Sequence, residues 1–183
     1  GGGGDDGKRR ALTITHGLPR YFSSADDRTR RRAWLLWPVS VERGLDVVIK
    51  NLAALHAATG FDPDFRLFVC HHATGYHGLT RLESADRRLV VTGMLPPHKL
   101  ATMYRACSLF VFPSSVPEAF SLASWECMAH GVIPVAYGRG ALASLADCGA
   151  NLVRTGDEAG LVAKAAALLA APVVMTAARR RLL

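Results

Sequence analysis

Two glutamates separated by seven residues, Glu118 and Glu126, supply two carboxylates within one short segment. Glu118 falls in a predicted loop after an apolar strand, and Glu126 falls inside the helix that follows. The backbone N–H groups at the start of this helix, around Phe120, Ser121 and Leu122, are predicted to be unpaired and therefore suited to a phosphate. The segment follows the C-terminal end of a strand, which is where open α/β sheets bind their ligands.

A cation is predicted at the same edge of the sheet. Arg43 opens the helix after the first predicted strand, and a guanidinium there can neutralise a diphosphate. The plainer interpretations are an exposed helix-start arginine, a surface-loop acid at Glu118 and a solvated helix acid at Glu126. Against the last of these, Glu126 lies among apolar neighbours in sequence, and a carboxylate in such a helix usually has a specific partner.

Strands and helices alternate along the chain. The predicted strands are Ala33–Trp37, Arg66–Cys70, Leu89–Thr92, Ser108–Phe112, Val132–Ala136 and Asn151–Arg154. The predicted helices are Gly44–Thr59, Pro97–Cys107, Phe120–His130, Leu142–Asp147 and Asp157–Ala170, and His71–Arg87 is predicted as a loop with a weak helix. The strands are continuously apolar, which indicates burial on both faces. The predicted fold class is α/β, with a Rossmann-like doubly wound parallel sheet.

The length of 183 residues and the ordinary globular composition indicate one packed domain. Residues 1–14 are predicted to be a flexible lead-in, 15–172 the domain, and 173–183 a basic C-terminal tail or helix. No apolar run approaches the roughly 20 residues that a transmembrane helix needs.

The net charge of +7 comes mainly from three basic runs, Lys8–Arg10, Arg28 with Arg30–Arg32, and Arg179–Arg181. They lie at the ends of the chain or just before the first strand, so they are interpreted as solvated arms or tails. Nucleic acid is therefore not the predicted partner, although a phosphate-rich partner remains the alternative for these runs.

The cysteines show no ligand spacing and no short pairing; they are Cys70, Cys107, Cys127 and Cys148. Apolar neighbours predict buried free thiols in a reducing, cytoplasmic compartment. No Cys-x-x-Cys pair or Cys/His pair is arranged as a metal site. The histidines His71, His72 and His77 are interpreted as part of a solvated or ligand-lining loop.

Residues 118–131 read Glu-Ala-Phe-Ser-Leu-Ala-Ser-Trp-Glu-Cys-Met-Ala-His-Gly. This segment resembles the Glu-x7-Glu motif of the retaining GT-B glycosyltransferases of family 4, the glycosyl transferases group 1 domain, which reads Glu-x-Phe-Gly-Leu-x-x-x-Glu-Ala-Met-Ala-x-Gly. Glu42-Arg43-Gly44 resembles the family's Glu-Lys-Gly after the first strand, and Thr15–Phe22 resembles its entry into the C-terminal domain. The resemblance covers about residues 15–170 and implies the C-terminal, donor-binding half of a GT-B fold.

The resemblance implies a role for each charged site residue. Glu126 would hydrogen-bond the ribose of a sugar nucleotide, and Glu118 would contact the hydroxyls of the transferred sugar. Arg43 would take the place of the family's phosphate-binding lysine. The incoming hydroxyl would attack from the face that the diphosphate leaves, so the anomeric configuration would be retained.

The resemblance also implies contacts from the main chain. The N–H groups of Ser121 and Leu122, beside Phe120, would hold the diphosphate at the helix end. Main chain at Gly93, Met94 and Leu95 would meet the base. The donor would be a nucleotide-diphosphate sugar with no metal and no other cofactor, and the acceptor would be bound by an N-terminal domain that is missing from this chain.

Two positions depart from the family pattern. Trp37-Pro38 stands where the family usually has Gly-Arg, so one of two phosphate-binding cations is missing, and Ser121 replaces the usual glycine. An alternative function is therefore a catalytically impaired sugar-nucleotide-binding or structural module of the same fold. An NAD-type oxidoreductase is disfavoured because no Gly-x-Gly-x-x-Gly follows the first strand.

Overall fold

A computed structural model of the chain describes residues 32–71 and 78–171. Its strands are β1 (Leu35–Trp37), β2 (Leu67–Val69), β3 (Leu89–Val91), β4 (Leu109–Phe112), β5 (Ile133–Tyr137) and β6 (Asn151–Val153). Its α-helices are α1 (Leu45–Lys50), α2 (Leu52–Ala58), α3 (Leu79–Ala85), α4 (Pro97–Ala106), α5 (Leu122–Ala129) and α6 (Glu158–Ala170). Short 3-10 helices cover Val41–Arg43 and Ala141–Ala146.

The strands of the described residues form one six-stranded sheet in the order β3-β2-β1-β4-β5-β6. Every pairing is parallel; Leu35 of β1 pairs with Leu67 of β2 on one side and with Leu109 of β4 on the other. Strands β1 to β5 are buried almost throughout, as their continuous apolar composition predicts. The predicted Rossmann-like α/β fold is confirmed.

Helices cover the sheet, and the core lies between them and the strands. Buried leucines of α1 and α2 join Trp34, Phe68 and Phe110 in one apolar cluster. Helix α6 packs against α2 as well as against β5 and β6. Its predicted start is confirmed, because the side chain of Asp157 accepts the N–H of Gly160 at 2.9 Å.

The predicted helix Gly44–Thr59 is interrupted in the structure. Asn51 separates α1 from α2, with φ −99° and ψ 7°. Its side-chain amide donates to the carbonyl of Val47 at 2.9 Å and to Oε1 of Glu158 at 2.9 Å. An asparagine side chain that bonds its own backbone competes with the regular helix. The tie to Glu158 then fixes the break against α6.

Several sequence predictions lie outside the described residues. These are the lead-in 1–14, the segment Thr15–Phe22, His72, His77, the tail 173–183 and the basic runs other than Arg32. Arg32 itself lies 3.6 Å from a carboxylate oxygen of Asp64 and stacks over Trp34. All four cysteines fall within the described residues and form no disulfide there; Cys148 is half-buried and the others are buried.

Candidate active site

The strand order locates a binding crevice between β1 and β4. In the order β3-β2-β1-β4-β5-β6, the chain runs outward from β1 in one direction and outward from β4 in the other. The C-terminal ends of two such strands leave a crevice between them, and open α/β sheets bind ligands there. The segment after β1 contains Arg43, and the segment after β4 contains Glu118.

Arg43 and Glu118 form an ion pair across this crevice. Nη1 of Arg43 donates to Oε1 of Glu118 at 2.6 Å, although the residues are 75 positions apart in sequence. The side chain of Arg43 is 35% exposed and that of Glu118 is 14% exposed. The structure therefore brings together the residues predicted to contact the diphosphate and the transferred sugar, in a position that is partly open to solvent.

Gly44 holds the Arg43 segment close to β4. The residue has φ 101° and ψ 24°, in the left-handed region that favours glycine. A Cβ at this position would lie 2.8 Å from the carbonyl oxygen of Pro113 and 2.9 Å from its Cγ. Because only a glycine permits this approach, Gly44 sets how close Arg43 comes to the segment that carries Glu118.

The Glu118 segment is held from its other side by the loop after β5. Glu118 and Gly140 form an isolated parallel bridge, and the carbonyl of Glu118 accepts the N–H of Ala141 at 2.7 Å. A Cβ on Gly140 would lie 2.5 Å from that carbonyl oxygen. Arg139 adds a third contact, since its Nη1 donates to the carbonyl of Ser115 at 2.6 Å.

Arg139 was not predicted as a site residue. Its sequence signal is weak, because Gly138-Arg139-Gly140 follows a late strand and resembles no phosphate motif. Arg139 follows β5, and it lies near the site because β5 pairs with β4, the strand that precedes Glu118. It adds a second guanidinium, exposed to solvent, beside the loop that carries Glu118.

Glu126 has a specific partner, as predicted, but it is more exposed than its apolar neighbours in sequence indicate. Its Oε2 accepts the hydroxyl of Tyr104 from α4 at 2.8 Å. Burial raises the pKa of Tyr104, with Cys127 and Glu126 adding to the shift, so the hydroxyl stays protonated and donates. Tyr104 also stacks on His130, with ring centroids 5.1 Å apart. The sequence indicates only that Tyr104 faces inward.

Helix α5 begins at Leu122, two residues later than predicted. The N–H of Leu122 is not unpaired, contrary to the prediction; it donates to the carbonyl of Phe120 at 3.2 Å. Ser121 lies between them at φ −90° and ψ 82°, close to an inverse γ-turn. The N–H groups of Phe120 and Ser121 donate to no described residue, so two of the three predicted donors are available.

The side chains at the start of α5 divide between surface and interior. Phe120 and Leu122 are 61% and 65% exposed. Ser121 is buried, and its hydroxyl shares a hydrogen bond with that of Ser124 at 2.8 Å. The rings of Phe120 and Trp125 stack with centroids 6.3 Å apart. The site therefore has an apolar rim next to its charged centre.

The residues predicted to meet a base lie further along the same sheet edge. Gly93, Met94 and Leu95 follow β3, which is the outer strand on that side, separated from β1 by β2. Gly93 is half-buried, Met94 is 51% exposed and Leu95 is buried. They share the C-terminal edge of the sheet with the ion pair and stand two strands away from it.

Two buried polar atoms near the crevice have no hydrogen-bond partner among the described residues. They are Nε1 of Trp37, at the end of β1, and Oγ of Ser114, just after β4. Trp37 packs edge-on against Phe110 and Phe112, with centroids 6.0 and 6.1 Å away. Ser114 is 1% exposed. Buried polar groups are nearly always paired, so these two stand out.

No group of three or more potential metal ligands occurs within residues 32–71 and 78–171. In the same residues, no helix has both the length and the apolar composition needed to cross a membrane.

Comparison with known proteins assigns a family to most of the chain. The family model described as glycosyl transferases group 1 matches residues 35–171. None of the curated proteins matches the chain significantly.

Several solved structures share the fold. One is a point mutant of S. aureus TarM in complex with fondaparinux, alpha-GlcNAc-glycerol and UDP. It is 14% identical to this chain with a TM-score of 0.62, and the aligned region covers 83% of this chain and 32% of the TarM chain. The C-terminal domain of a glycosyl transferase group 1 family protein (LpcC) from Francisella tularensis is 18% identical with a TM-score of 0.65, covering 85% of both chains. Sucrose-phosphate synthase from Thermosynechococcus elongatus is 21% identical with a TM-score of 0.59, covering 84% of this chain and 41% of its own.

At these identities the likeness establishes the α/β Rossmann-like fold alone. The chain spans about a third of the TarM chain and less than half of the synthase chain. It spans nearly all of the isolated C-terminal domain from Francisella tularensis.

Proposed function

This chain belongs to the glycosyl transferases group 1 family, and we propose that it forms the donor-binding half of a retaining GT-B glycosyltransferase of family 4. The observation that carries the proposal is the Arg43–Glu118 ion pair at the crevice between β1 and β4. A cation, a carboxylate and the open start of α5 meet at this point, which is the set of groups that a sugar diphosphate requires.

Each part of the donor has a matching group in this site. The diphosphate binds to Arg43 and to the free N–H groups of Phe120 and Ser121 at the start of α5. The N–H of Leu122 joins them once its bond to the Phe120 carbonyl opens. Glu118 accepts hydrogen bonds from the hydroxyls of the transferred sugar.

The nucleoside lies on the other side of the diphosphate. Glu126 accepts a ribose hydroxyl on Oε1, because its Oε2 is held by Tyr104. That hydrogen bond orients the carboxylate, which is otherwise exposed on α5. Main chain at Gly93, Met94 and Leu95 meets the base further along the sheet edge.

Transfer depends on stabilising the diphosphate as it leaves. Negative charge grows on the phosphate oxygens as the glycosidic bond breaks, and Arg43 and the N-terminal end of α5 face that charge. The oxygen of the acceptor hydroxyl bonds to the anomeric carbon on the face that the diphosphate leaves, and its proton passes to the leaving diphosphate, so the configuration is retained. We assign acceptor binding to another part of the protein; two of the solved structures that share this fold have chains two to three times longer than this one.

Replacement of Glu126 by alanine tests the assignment of the donor site. We expect isothermal titration of wild type with UDP, GDP and ADP sugars to show one preferred donor. Glu126→Ala should bind that donor at least about tenfold more weakly, because a hydrogen bond to a charged group contributes about 1.5–3 kcal/mol.

Asp147→Ala is the matched control, since Asp147 is exposed and precedes β6 at the opposite edge of the sheet. Equal donor affinities for wild type and Glu126→Ala would show that the ribose assignment is wrong. A chain that bound none of the nucleotides would contradict the proposal as a whole.

A second candidate is a module that binds sugar nucleotides without transferring the sugar. It is favoured by Trp37-Pro38, because Trp37 is fully buried against Phe110 and Phe112 and neither residue offers a cation. Arg139 is the other guanidinium at this loop, and it is bonded to the Ser115 carbonyl. A function of the full-length protein that survived both Arg43→Ala and Glu118→Ala would support this candidate, and sugar transfer abolished by either change would count against it.

A further inference from the structure

We propose that the Arg43–Glu118 ion pair makes the site prefer an intact sugar nucleotide over the nucleoside diphosphate that remains after transfer. The inference rests on the proposed function and extends it from substrate binding to product release. It starts from one contact, the hydrogen bond of 2.6 Å between Nη1 of Arg43 and Oε1 of Glu118.

Glu118 is anchored near Arg43 through its main chain. Its backbone is bridged to Gly140, and its carbonyl accepts the N–H of Ala141. Gly44 packs so tightly on Pro113 that the Arg43 segment is held against the same loop. The pair is therefore set by two fixed backbones, unlike a surface ion pair between two free side chains.

A diphosphate that binds to Arg43 must come close to this carboxylate. The side chain of Glu118 is only 14% exposed, so water screens its charge poorly. Phosphate oxygens would compete with Glu118 for the same guanidinium and would be repelled by its charge. Glu118 therefore weakens the binding of any diphosphate that brings nothing to satisfy the carboxylate.

An attached sugar brings what the carboxylate needs. Sugar hydroxyls are donors, and a carboxylate that loses part of its bond to Arg43 can accept two or more of them. The repulsion is then offset by new hydrogen bonds. A nucleoside diphosphate has no hydroxyl at that position, so it binds against the full repulsion and leaves faster. In this view Glu118 is a specificity-determining residue as well as a sugar contact.

The test compares two affinities in one isosteric variant. We measure dissociation constants of UDP, GDP and ADP, and of UDP-glucose, GDP-mannose and ADP-glucose, for wild type and Glu118→Gln by isothermal titration. We expect Glu118→Gln to bind the preferred nucleoside diphosphate about tenfold more tightly than wild type does, because glutamine carries no charge. The affinity for the corresponding sugar nucleotide should change less, because glutamine still accepts hydrogen bonds from hydroxyls. Preference for the sugar nucleotide should fall by a similar factor.

Glu158→Gln is the matched control, because it removes the charge from the exposed Lys50–Glu158 pair between α1 and α6. It should leave every affinity unchanged. Thermal unfolding of each variant verifies that it is folded, and Glu118→Asp, which keeps the charge, should keep the preference for the sugar nucleotide.

The outcomes separate this inference from the proposed function. In one outcome, nucleotide binding depends on Glu126, but wild type and Glu118→Gln prefer the sugar nucleotide to the same degree. This outcome overturns the inference and leaves the proposed function standing. Weaker diphosphate binding by Glu118→Gln also overturns it. If neither wild type nor Glu118→Gln binds any of the six probes, both the inference and the proposed function are wrong.

Discussion

At Glu118 and Glu126, two carboxylates from one short segment have different surroundings. Glu118 is 14% exposed and pairs with a guanidinium. Glu126 is exposed and accepts the hydroxyl of a buried tyrosine. The guanidinium of Arg43 holds the carboxylate of Glu118 in one place. The hydroxyl of Tyr104 occupies only one oxygen of Glu126, so the other oxygen can accept further hydrogen bonds. This difference fits the proposed roles, in which Glu118 contacts the reacting sugar and Glu126 contacts a fixed part of the donor.

Ser114 offers a test at the scale of one atom. Its hydroxyl is buried and has no partner among the described residues, and burying an unpaired hydroxyl costs about 1–3 kcal/mol. We expect Ser114→Ala to raise the free energy of unfolding by up to about 1 kcal/mol, measured by urea denaturation.

The exposed neighbour Ser115 provides the control, since Ser115→Ala should leave the stability unchanged. A loss of stability in Ser114→Ala would mean that the hydroxyl has a partner in solution, such as an ordered water.

At the scale of elements, the site depends on how closely three chain segments approach one another. The 3-10 helix Val41–Arg43 meets the loop after β4 through Gly44 and Pro113. The loop after β5 meets the same segment through Gly140 and Glu118. Glycines thus let backbones touch at both contacts, so the positions of the charged groups depend on residues with no side chain.

Gly44→Ala tests this close approach. We expect it to lower the free energy of unfolding by about 3 kcal/mol, of which about 1–2 kcal/mol is the cost of a left-handed non-glycine residue and the rest is overlap with Pro113. Chemical denaturation measures the difference. The same variant should bind the donor more weakly, because Arg43 is displaced from Glu118.

Gly60→Ala separates the two costs. Gly60 has φ +71°, but a Cβ there would meet nothing within 4 Å. Its substitution should cost only the backbone contribution, about 1–2 kcal/mol. Equal losses for the two variants would show that the loop yields to the added methyl group and that the approach is not fixed.

At the scale of the whole molecule, the site is assembled from segments that follow β1, β4 and β5. On the proposed function, a donor bound there contacts both halves of the sheet and should stabilise the folded domain. This coupling between binding and folding follows from mass action, because the unfolded chain has no site.

Thermal unfolding with donor measures that coupling. At a donor concentration of a hundred times Kd, the expected stabilisation is about 2.7 kcal/mol, which raises the Tm by roughly 5–10 °C for a chain of this size. The corresponding nucleoside, which lacks the diphosphate, should raise it far less at the same concentration. An unchanged Tm at this donor concentration would contradict a donor site that exists only in the folded chain.

Much of the local structure followed from the sequence. Apolar strands alternating with amphipathic helices predicted the buried parallel sheet, because burial on both faces imposes continuous apolar composition on a strand. Asp157 predicted the start of α6, since a helix start needs a side-chain acceptor. The break at Asn51 was missed, because an asparagine within a helical pattern does not by itself indicate a break, and the bond that fixes this one is to Glu158, which is distant in sequence.

The fold class and the chemical groups of the site, namely Glu118, Glu126, Arg43 and the start of a helix, could be predicted from the sequence alone. These depend on residue types and local periodicity, which the chain carries without tertiary contacts. Three-dimensional packing was needed to establish that β4 lies next to β1, that Arg43 pairs with Glu118, and that Tyr104 and Arg139 lie beside the two glutamates. Strand order depends on how crossover helices pack on the sheet, and no local pattern encodes it.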